Sequence, residues 1–157
     1  MSEFTIRPAA AEDMPLVLTL IRELAIYEKL EDRVTATLDT LHEWIVEKKK
    51  AEVVLGEWNG EAVGYALYFH NFSTFLGRSG IYLEDIYVRP SYRGRGFGKA
   101  FFRHLGVLCL KRGCGRLEWC CLDWNKPSID FYQSMGAVPL EDWTIYRLSE
   151  DALRKLV

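Results

Sequence analysis

The chain has 157 residues, of which 49% are hydrophobic and 27% charged, so it is long enough to form one domain with its own core. Its formal net charge of −2 argues against a general nucleic-acid binder, because such proteins are usually strongly basic. No apolar run approaches the length that crosses a bilayer, and the N-terminal MSEFTIRPAA lacks the pattern of a signal peptide, so we predict a cytoplasmic protein.

The first half of the chain predicts two helices and three strands. Asp13 and Pro15 are typical of a helix start. Asn59-Gly60 between two strand-like runs is the strongest short signal of a β-hairpin. In chain order we predict a strand at Phe4–Arg7, helices at Asp13–Tyr27 and Leu38–Val46, and strands at Glu52–Trp58 and Ala62–Phe69.

The second half alternates strands with helices. We predict, in chain order, a strand at Ile81–Val88, a helix at Phe97–Lys111, a strand at Leu117–Leu122, a helix at Ser128–Met135, a strand at Trp143–Leu148 and a final helical turn or two at Asp151–Val157. No linker, repeat or low-complexity segment interrupts this order. The sequence therefore predicts a single mixed α/β domain over residues 1–157.

The cysteines favour a reduced, metal-free protein. Cys109, Cys114, Cys120 and Cys121 form no CxxC pair, and His104 is the only histidine nearby in sequence, so a zinc site is not expected. A disulfide framework is not expected in a chain of this size without an export signal. We predict thiols that mostly pack in the core.

A glycine-rich loop, SYRGRGFGKAF at Ser91–Phe101, separates the strand that ends at Val88 from the helix that begins near Phe97. Glycine lets an anion approach the backbone, and the first N–H groups of a helix lack acceptors, so this junction suits a phosphate. Lys99 is followed by alanine, and the glycine spacing differs from G-x-G-x-x-G, so neither the P-loop nor the dinucleotide fingerprint applies. As a bare pattern, a flexible turn is the alternative.

The residues around this loop carry a family resemblance. The run YLEDIYVRPSYRGRGFG resembles the acyl-CoA-binding core of the GNAT N-acetyltransferases, whose Arg/Gln-x-x-Gly-x-Gly/Ala motif matches Arg93, Gly96 and Gly98. Within that family, three stretches are similar to the spermidine/spermine (diamine) and thialysine N-acetyltransferases. These are LAIYEKLED at 24–32, YLEDIYV at 82–88 and LDWNKPSIDFY at 122–132.

The resemblance implies a fold and a co-substrate. The fold is a mixed α/β one, the GNAT fold, in which helices flank a mostly antiparallel, twisted sheet with a splayed parallel pair. The co-substrate is acetyl-CoA: the loop amides hold its pyrophosphate in the family, and the preceding strand pairs with its pantetheine. No metal is implied. The residues to which this assigns acetyl-CoA binding are Ile86, Val88, Arg93, Gly94, Gly96, Gly98, Lys99, Asn125 and Tyr132.

Two adjacent carboxylates, Glu84 and Asp85, lie in an otherwise apolar strand. Neighbours in a strand point to opposite faces, so only one can face a cleft unless the strand bulges. A salt bridge to Arg89 or Arg93 is the structural alternative to a catalytic role. An amine that attacks a thioester needs a base, because an aliphatic amine with a pKa of about 10.4 is almost fully charged at pH 7.

The resemblance assigns roles to these carboxylates and to two further residues. Glu84 is the general base, directly or through water, and Tyr132 is the general acid toward the departing thiolate. Asp85 holds the cationic substrate, with Glu28 as a further contact. Packing is the alternative role for Tyr132, and a solvated face is the alternative for the acidic stretch that contains Glu28.

We therefore expect an enzyme that transfers acetyl from acetyl-CoA to a primary amine of a polyamine, diamine or lysine-like molecule by direct attack in a ternary complex. A route through acetyl-Cys121 is disfavoured, because no histidine lies near that cysteine in sequence. The alternatives are a protein or peptide lysine acetyltransferase and a non-catalytic CoA-binding module. The resemblance also implies a homodimer, with Trp143, Ile145 and Tyr146 in a contact or in a core strand. No nucleic-acid or membrane partner is expected.

Overall fold

The computed structural model describes residues 3–157. The chain divides into two compact units, one that ends at Cys120 and one at Cys121–Val157, and each is described by itself. None of the helices in the described part of the chain is long and apolar enough to span a membrane.

The first unit contains a five-stranded sheet in the order β1-β2-β3-β4-β5. The first three pairings are antiparallel, and β4 pairs with β5 in parallel. This arrangement confirms the predicted mixed α/β fold with a mostly antiparallel sheet and one parallel pair. The strands are β1 (Phe4–Pro8), β2 (Glu52–Trp58), β3 (Glu61–Ser73), β4 (Arg78–Val88) and β5 (Leu117–Trp119).

Helices follow the predicted order in both units. The first unit contains α1 (Met14–Tyr27), the short α2 (Leu38–Leu41) and α3 (Phe97–Lys111), and the second contains α4 (Lys126–Ser134) and α5 (Glu150–Leu156). The predicted second helix continues past α2 as a π-helical turn at His42–Glu47. Short 3₁₀ turns lie at Ala11–Asp13, Glu31–Arg33 and Pro90–Tyr92.

Two apolar layers hold these elements together. One is a cluster between α1 and the sheet, whose buried members are Met14, Val17, Leu20, Val53, Leu55, Tyr65 and Tyr87. The other is aromatic: the rings of Phe4 and Phe97 stack at 4.1 Å, and Phe101 meets Phe4 edge-on at 5.9 Å. Gly56 lies beneath these rings, and a Cβ there would come within 2.6 Å of Phe101. The sheet that carries β4 is therefore anchored on α1 and on α3.

Two predicted strands differ from the structure. The strand predicted at Leu117–Leu122 ends at Trp119, where its ladder with β4 stops. The strand predicted at Trp143–Leu148 is wrong, because residues 143–148 of the described chain contain no strand. The side chains of Trp143 and Tyr146 are 77% and 91% exposed. The alternative prediction that this segment is a strand of the core is therefore also wrong. Aromatic and β-branched residues favour a strand only when a neighbouring strand is there to pair and pack with them.

Candidate active site

A β-bulge in β4 places the two adjacent carboxylates. In the register with β3, Asp85 pairs with Leu67 and Leu83 pairs with Tyr68, so Glu84 is an extra residue with no opposite partner. Bulges of this kind re-aim side chains and are common beside active sites. Glu84 is exposed, whereas Asp85 is partly buried. The bulge that the sequence analysis named as a condition is present, and it gives the two neighbours different surroundings.

Asp85 is held by a buried tyrosine. The Tyr65 hydroxyl donates a hydrogen bond of 2.8 Å to Asp85 Oδ2. The pKa of Asp85 is raised from 3.8 to about 6. Burial is the largest cause; the Tyr65 hydrogen bond lowers the pKa, and the charges of Glu84 and Glu28 raise it.

The arginines that could have neutralised these carboxylates have other partners. Arg89 pairs with Glu23 at 3.1 Å and with Glu61 at 3.8 Å. The Arg93 Nε donates to the Val88 carbonyl at 2.8 Å. The salt bridges that were the structural alternative for Glu84 and Asp85 are therefore wrong, and the carboxylates stay available to an external cation.

Glu28 lies directly after α1, at a reversal of the chain. Its N–H donates to the Leu24 carbonyl at 2.9 Å, and Lys29 follows with a φ of 60°. Glu28 is partly buried, and burial raises its pKa. Its charge also raises the pKa of Tyr65 and of Asp85, so it belongs to the same electrostatic cluster. The charges of Glu28, Glu84 and Asp85 thus act on one another, and these residues form one acidic cluster.

The edge of β4 beyond the bulge lies past the end of the β4–β5 ladder, and of its outward groups the Val88 carbonyl accepts a hydrogen bond from Arg93 Nε. The Arg89 N–H donates to β3 at 2.8 Å. Alternate residues of a strand direct their hydrogen-bonding groups to opposite sides, so the groups of Ile86 and Val88 point away from β3. On that side β5 pairs only as far as Leu83↔Trp119. An extended ligand with amide groups can therefore add to β4 at Ile86 and at the Val88 N–H, like a further strand, whereas the Val88 carbonyl is already bonded to Arg93 Nε.

The glycine loop presents a helix N-terminus to solvent. Gly94 and Gly96 have φ values of 75° and 83°, and Gly96 is the N-cap of α3. The Ala100 N–H bonds to the Gly96 carbonyl at 3.0 Å, so the amides of Phe97, Gly98 and Lys99 have no acceptor within the helix. Apart from the neighbouring residues in the chain, nothing lies within 4 Å of the position that a Cβ on Gly94 or Gly96 would take. This open, positively polarised end suits a phosphate group.

The charged residues of the loop have distinct contacts. The Arg95 guanidinium lies over the rings of Trp58 and Tyr92, at 5.7 and 5.8 Å from their centres. The guanidinium of Arg93 lies 4.6 Å from the Tyr27 ring centre, next to its bond to the Val88 carbonyl. Arg93 thus connects the glycine loop with the end of α1, immediately before Glu28. Lys99 is exposed at the first turn of α3.

The remaining assigned residues belong to the second unit. Asn125 is buried and caps α4, because its Oδ1 accepts from the Ser128 N–H at 3.4 Å. Asn125 therefore has a structural role as the N-cap of α4. Tyr132 is partly buried in α4, and its ring centre lies 5.8 Å from that of Phe131.

Tyr65 was not singled out in the sequence. It is fully buried in β3, and its hydroxyl has a partner 20 residues further along the chain. A buried tyrosine usually needs a hydrogen-bond partner for its hydroxyl, so the sequence could have indicated that Tyr65 would have one if buried. The identity of that partner depends on the register between β3 and β4, which no local pattern reveals.

The cysteines lie in different environments, and none of them forms a disulfide within the described residues. Cys109 and Cys114 are buried, whereas Cys120 is exposed and accepts a hydrogen bond of 3.0 Å from the Tyr82 hydroxyl. Only half of the thiols are therefore core residues. In residues 3–157 no group of three or more His, Cys, Asp or Glu side chains is arranged to hold a metal ion.

Comparison with known proteins decides the family. A sequence profile described as the Acetyltransferase (GNAT) family matches residues 18–137. The chain belongs to this family. This GNAT chain is 40% identical to the thialysine N-epsilon-acetyltransferase of Bos taurus, over 99% of its own length and 98% of the bovine protein. It is 31% identical to the human spermidine/spermine N(1)-acetyltransferase-like protein 1, over 98% of this chain and 24% of that protein.

A solved structure shows the same fold. An integron cassette protein from the mobile metagenome of V. cholerae matches with a TM-score of 0.80 and 24% identity, over 98% of this chain and 96% of that one. The predicted GNAT membership and the likeness to thialysine and spermidine/spermine acetyltransferases are confirmed. The chain is an acetyltransferase, and its relatives support acetylation of an amine nitrogen.

Proposed function

We propose that this protein transfers the acetyl group of acetyl-CoA to a primary amine of a small cation, either a lysine-like molecule such as thialysine or a polyamine. The observation that carries the proposal is the bulge of β4, which brings Glu84 and Asp85 together with Glu28. A cluster of negative charge attracts an ammonium group, and the full-length likeness to a thialysine acetyltransferase supports the lysine-like class first.

Glu84 is proposed as the general base. It is exposed at the bulge, so water or a substrate amine can reach it. The incoming amine is charged at pH 7 and must lose a proton before it attacks the thioester. Asp85 and Glu28 are proposed to hold the cation, and the partial burial of both strengthens their attraction for it.

Acetyl-CoA is proposed to bind at the junction of β4 and α3. The amides at the start of α3, with Gly94, Gly96, Gly98 and Lys99, would hold the pyrophosphate. The outward backbone groups of Ile86 and Val88 would pair with the pantetheine. Arg93 would contact the pyrophosphate from the same loop, although its contacts in this structure are the Val88 carbonyl and the Tyr27 ring.

Tyr132 and Asn125 complete the proposal. The family resemblance assigns Tyr132 as the acid that protonates the departing thiolate of coenzyme A, after direct attack in a ternary complex. Asn125 caps the helix that carries Tyr132 and so fixes the start of that helix, and it is also proposed to contact the pantetheine.

A panel of amines tests this function. Thiol release from acetyl-CoA is measured with thialysine, lysine, spermidine and a lysine-containing peptide at the same pH and concentration. We expect kcat/KM to be highest for one of the small cations. A preference for the peptide would identify a protein lysine acetyltransferase, and binding of acetyl-CoA without turnover of any amine would identify a non-catalytic module.

We also propose that residues 1–157 act as one cytoplasmic acetyltransferase domain that forms a homodimer. The exposed apolar segment with Trp143, Ile145 and Tyr146 supports a contact between copies. Light scattering would contradict the dimer if it gave the monomer mass of 18.2 kDa at working concentration.

A further inference from the structure

Tyr65 occupies an unusual place for a tyrosine of the core. It is fully buried among apolar side chains beneath α1, yet its hydroxyl reaches Asp85 Oδ2 at 2.8 Å. The register of the sheet sets this contact: Tyr65 pairs with Tyr87, and Leu67 pairs with Asp85, so the two partners are diagonal neighbours on adjacent strands. The hydrogen bond therefore links the rigid core to the acidic cluster.

The surroundings of Asp85 oppose its ionisation. Burial is the largest cause, and the charged groups that face it are Glu84 on its own strand and Glu28 after α1. The hydroxyl of Tyr65, which reaches it from β3, acts in the opposite direction. A hydrogen bond to an ionised carboxylate favours the ionised form and restricts its rotation.

We propose that Tyr65 is a positioning residue of the amine site, whose hydroxyl holds the Asp85 carboxylate through Oδ2 so that the carboxylate can bind the substrate ammonium. This inference rests on the proposed function, because it assumes that Asp85 binds the amine. Tyr65 itself is buried and does not touch the substrate. It acts through Asp85 alone.

The test compares Tyr65→Phe with Tyr68→Phe. Tyr68 is a second buried tyrosine of β3, but its charged neighbours are Glu52 and Arg112, so it controls for the loss of a buried hydroxyl. For Tyr65→Phe we expect the acidic limb of kcat/KM for the amine to move up by about one to two pH units. The KM for acetyl-CoA should not change, and activity at pH 9 should approach that of the wild type. Tyr68→Phe should keep the wild-type profile.

An unchanged pH dependence of kcat/KM for the amine in a folded Tyr65→Phe protein would overturn the proposal. The proposal would also be overturned if the acidic limb moved equally far in Tyr68→Phe. If Tyr65→Phe does not fold, replacement of Tyr65 by 3-fluorotyrosine serves instead, because a more acidic hydroxyl donates more strongly. The limb should then move to lower pH, and an unchanged limb would again overturn the proposal.

A measurement without substrate separates this inference from the proposed function. The carboxyl ¹³C signal of Asp85 is followed by NMR titration in the wild type and in Tyr65→Phe, or in the fluorotyrosine protein. A shift of the Asp85 titration would support the coupling even if no amine of the panel were acetylated, in which case only the proposed function would fail. If the Asp85 carboxyl titrates at the same pH in the wild type and in the Tyr65 variant, the inference is overturned even in an active enzyme.

Discussion

At the scale of single residues, the site separates two carboxylates that are neighbours in sequence. Glu84 is exposed at the bulge, whereas Asp85 is partly buried and bonded to Tyr65. The bulge therefore gives the two carboxylates different environments, and the two proposed roles, base for Glu84 and cation binding for Asp85, are tested by separate variants.

The first prediction concerns Glu84→Gln. If Glu84 removes the proton of the amine, kcat at pH 7 should fall by about 10²–10⁴-fold. The loss should shrink as the pH approaches the pKa of the amine, about 10.4, because the substrate then arrives neutral. The pH–rate profile with a saturating amine measures this. Glu12→Gln, a change in the 3₁₀ turn before α1, is the control, and full activity of Glu84→Gln at pH 7 would show a structural role.

The second prediction concerns Tyr132→Phe. The variant should fold and bind acetyl-CoA like the wild type, while kcat falls by about 10²-fold or more through loss of the acid. Tyr146→Phe changes a tyrosine of the same unit that is 91% exposed, removes only its hydroxyl and keeps the ring that the proposed dimer contact would use, so it should keep full activity. Steady-state kinetics and acetyl-CoA binding by calorimetry are the measurements. Equal kcat values for the two variants would remove Tyr132 from the mechanism.

At the scale of elements, the start of α3 carries the proposed phosphate site. Gly94 and Gly96 have positive φ values, so any side chain there would strain the backbone and confuse a binding test. Gly98 lies within the first turn of the helix and offers a cleaner change.

Gly98→Val and Gly106→Val form a matched pair on α3. Alanine is avoided at position 98, because the family motif itself allows alanine there. Each change introduces a β-branched residue into the same helix, so their effects on helix propensity are similar. Only Gly98 lies beside the amides proposed to bind pyrophosphate, so only Gly98→Val should weaken acetyl-CoA binding, by about tenfold or more. Calorimetry measures the affinity and thermal unfolding checks the fold. Unchanged affinity in a folded Gly98→Val protein would contradict the assignment.

At the scale of the whole molecule, the acidic cluster opposes the stability of the fold. The pKa of Asp85 rises from 3.8 in an ordinary setting to about 6 in the folded protein, mainly through burial. Between these pH values the folded state binds the proton more tightly than the unfolded state. Stability contributed by Asp85 is therefore highest below pH 4 and decreases as the pH rises to about 6.

Asp85→Asn tests how much stability the fold loses when the buried Asp85 carboxyl is ionised. Above pH 6 the variant should be more stable than the wild type by about 2–3 kcal/mol, because it no longer buries a charge. Near pH 4 the two proteins should be equally stable, which serves as an internal control. Denaturant unfolding across this pH range is the measurement. A wild type that is the more stable protein at pH 8 would show that the ionised carboxylate stabilises the fold.

Much of the fold was predictable from local patterns. The bounds of β2 and α3 match the prediction, because Asn59-Gly60 and the glycines around α3 mark their ends with residues of special backbone preference. The strand predicted at Trp143–Leu148 is wrong because no local residue pattern decides whether a strand finds a partner. Its apolar composition is compatible with a strand, but pairing depends on a partner elsewhere in the chain.

The sequence by itself determined the family, the order of the helices and of the five strands of the sheet, and the chemistry offered by Glu84, Asp85 and the glycine loop. These properties depend on residue types and on spacings within a few residues, where propensity and backbone freedom act. Only the tertiary structure decided the bulge at Glu84, the early end of the β4–β5 ladder, and the hydrogen bond between Tyr65 and Asp85. These depend on strand register and burial, which arise when segments distant in sequence pack together.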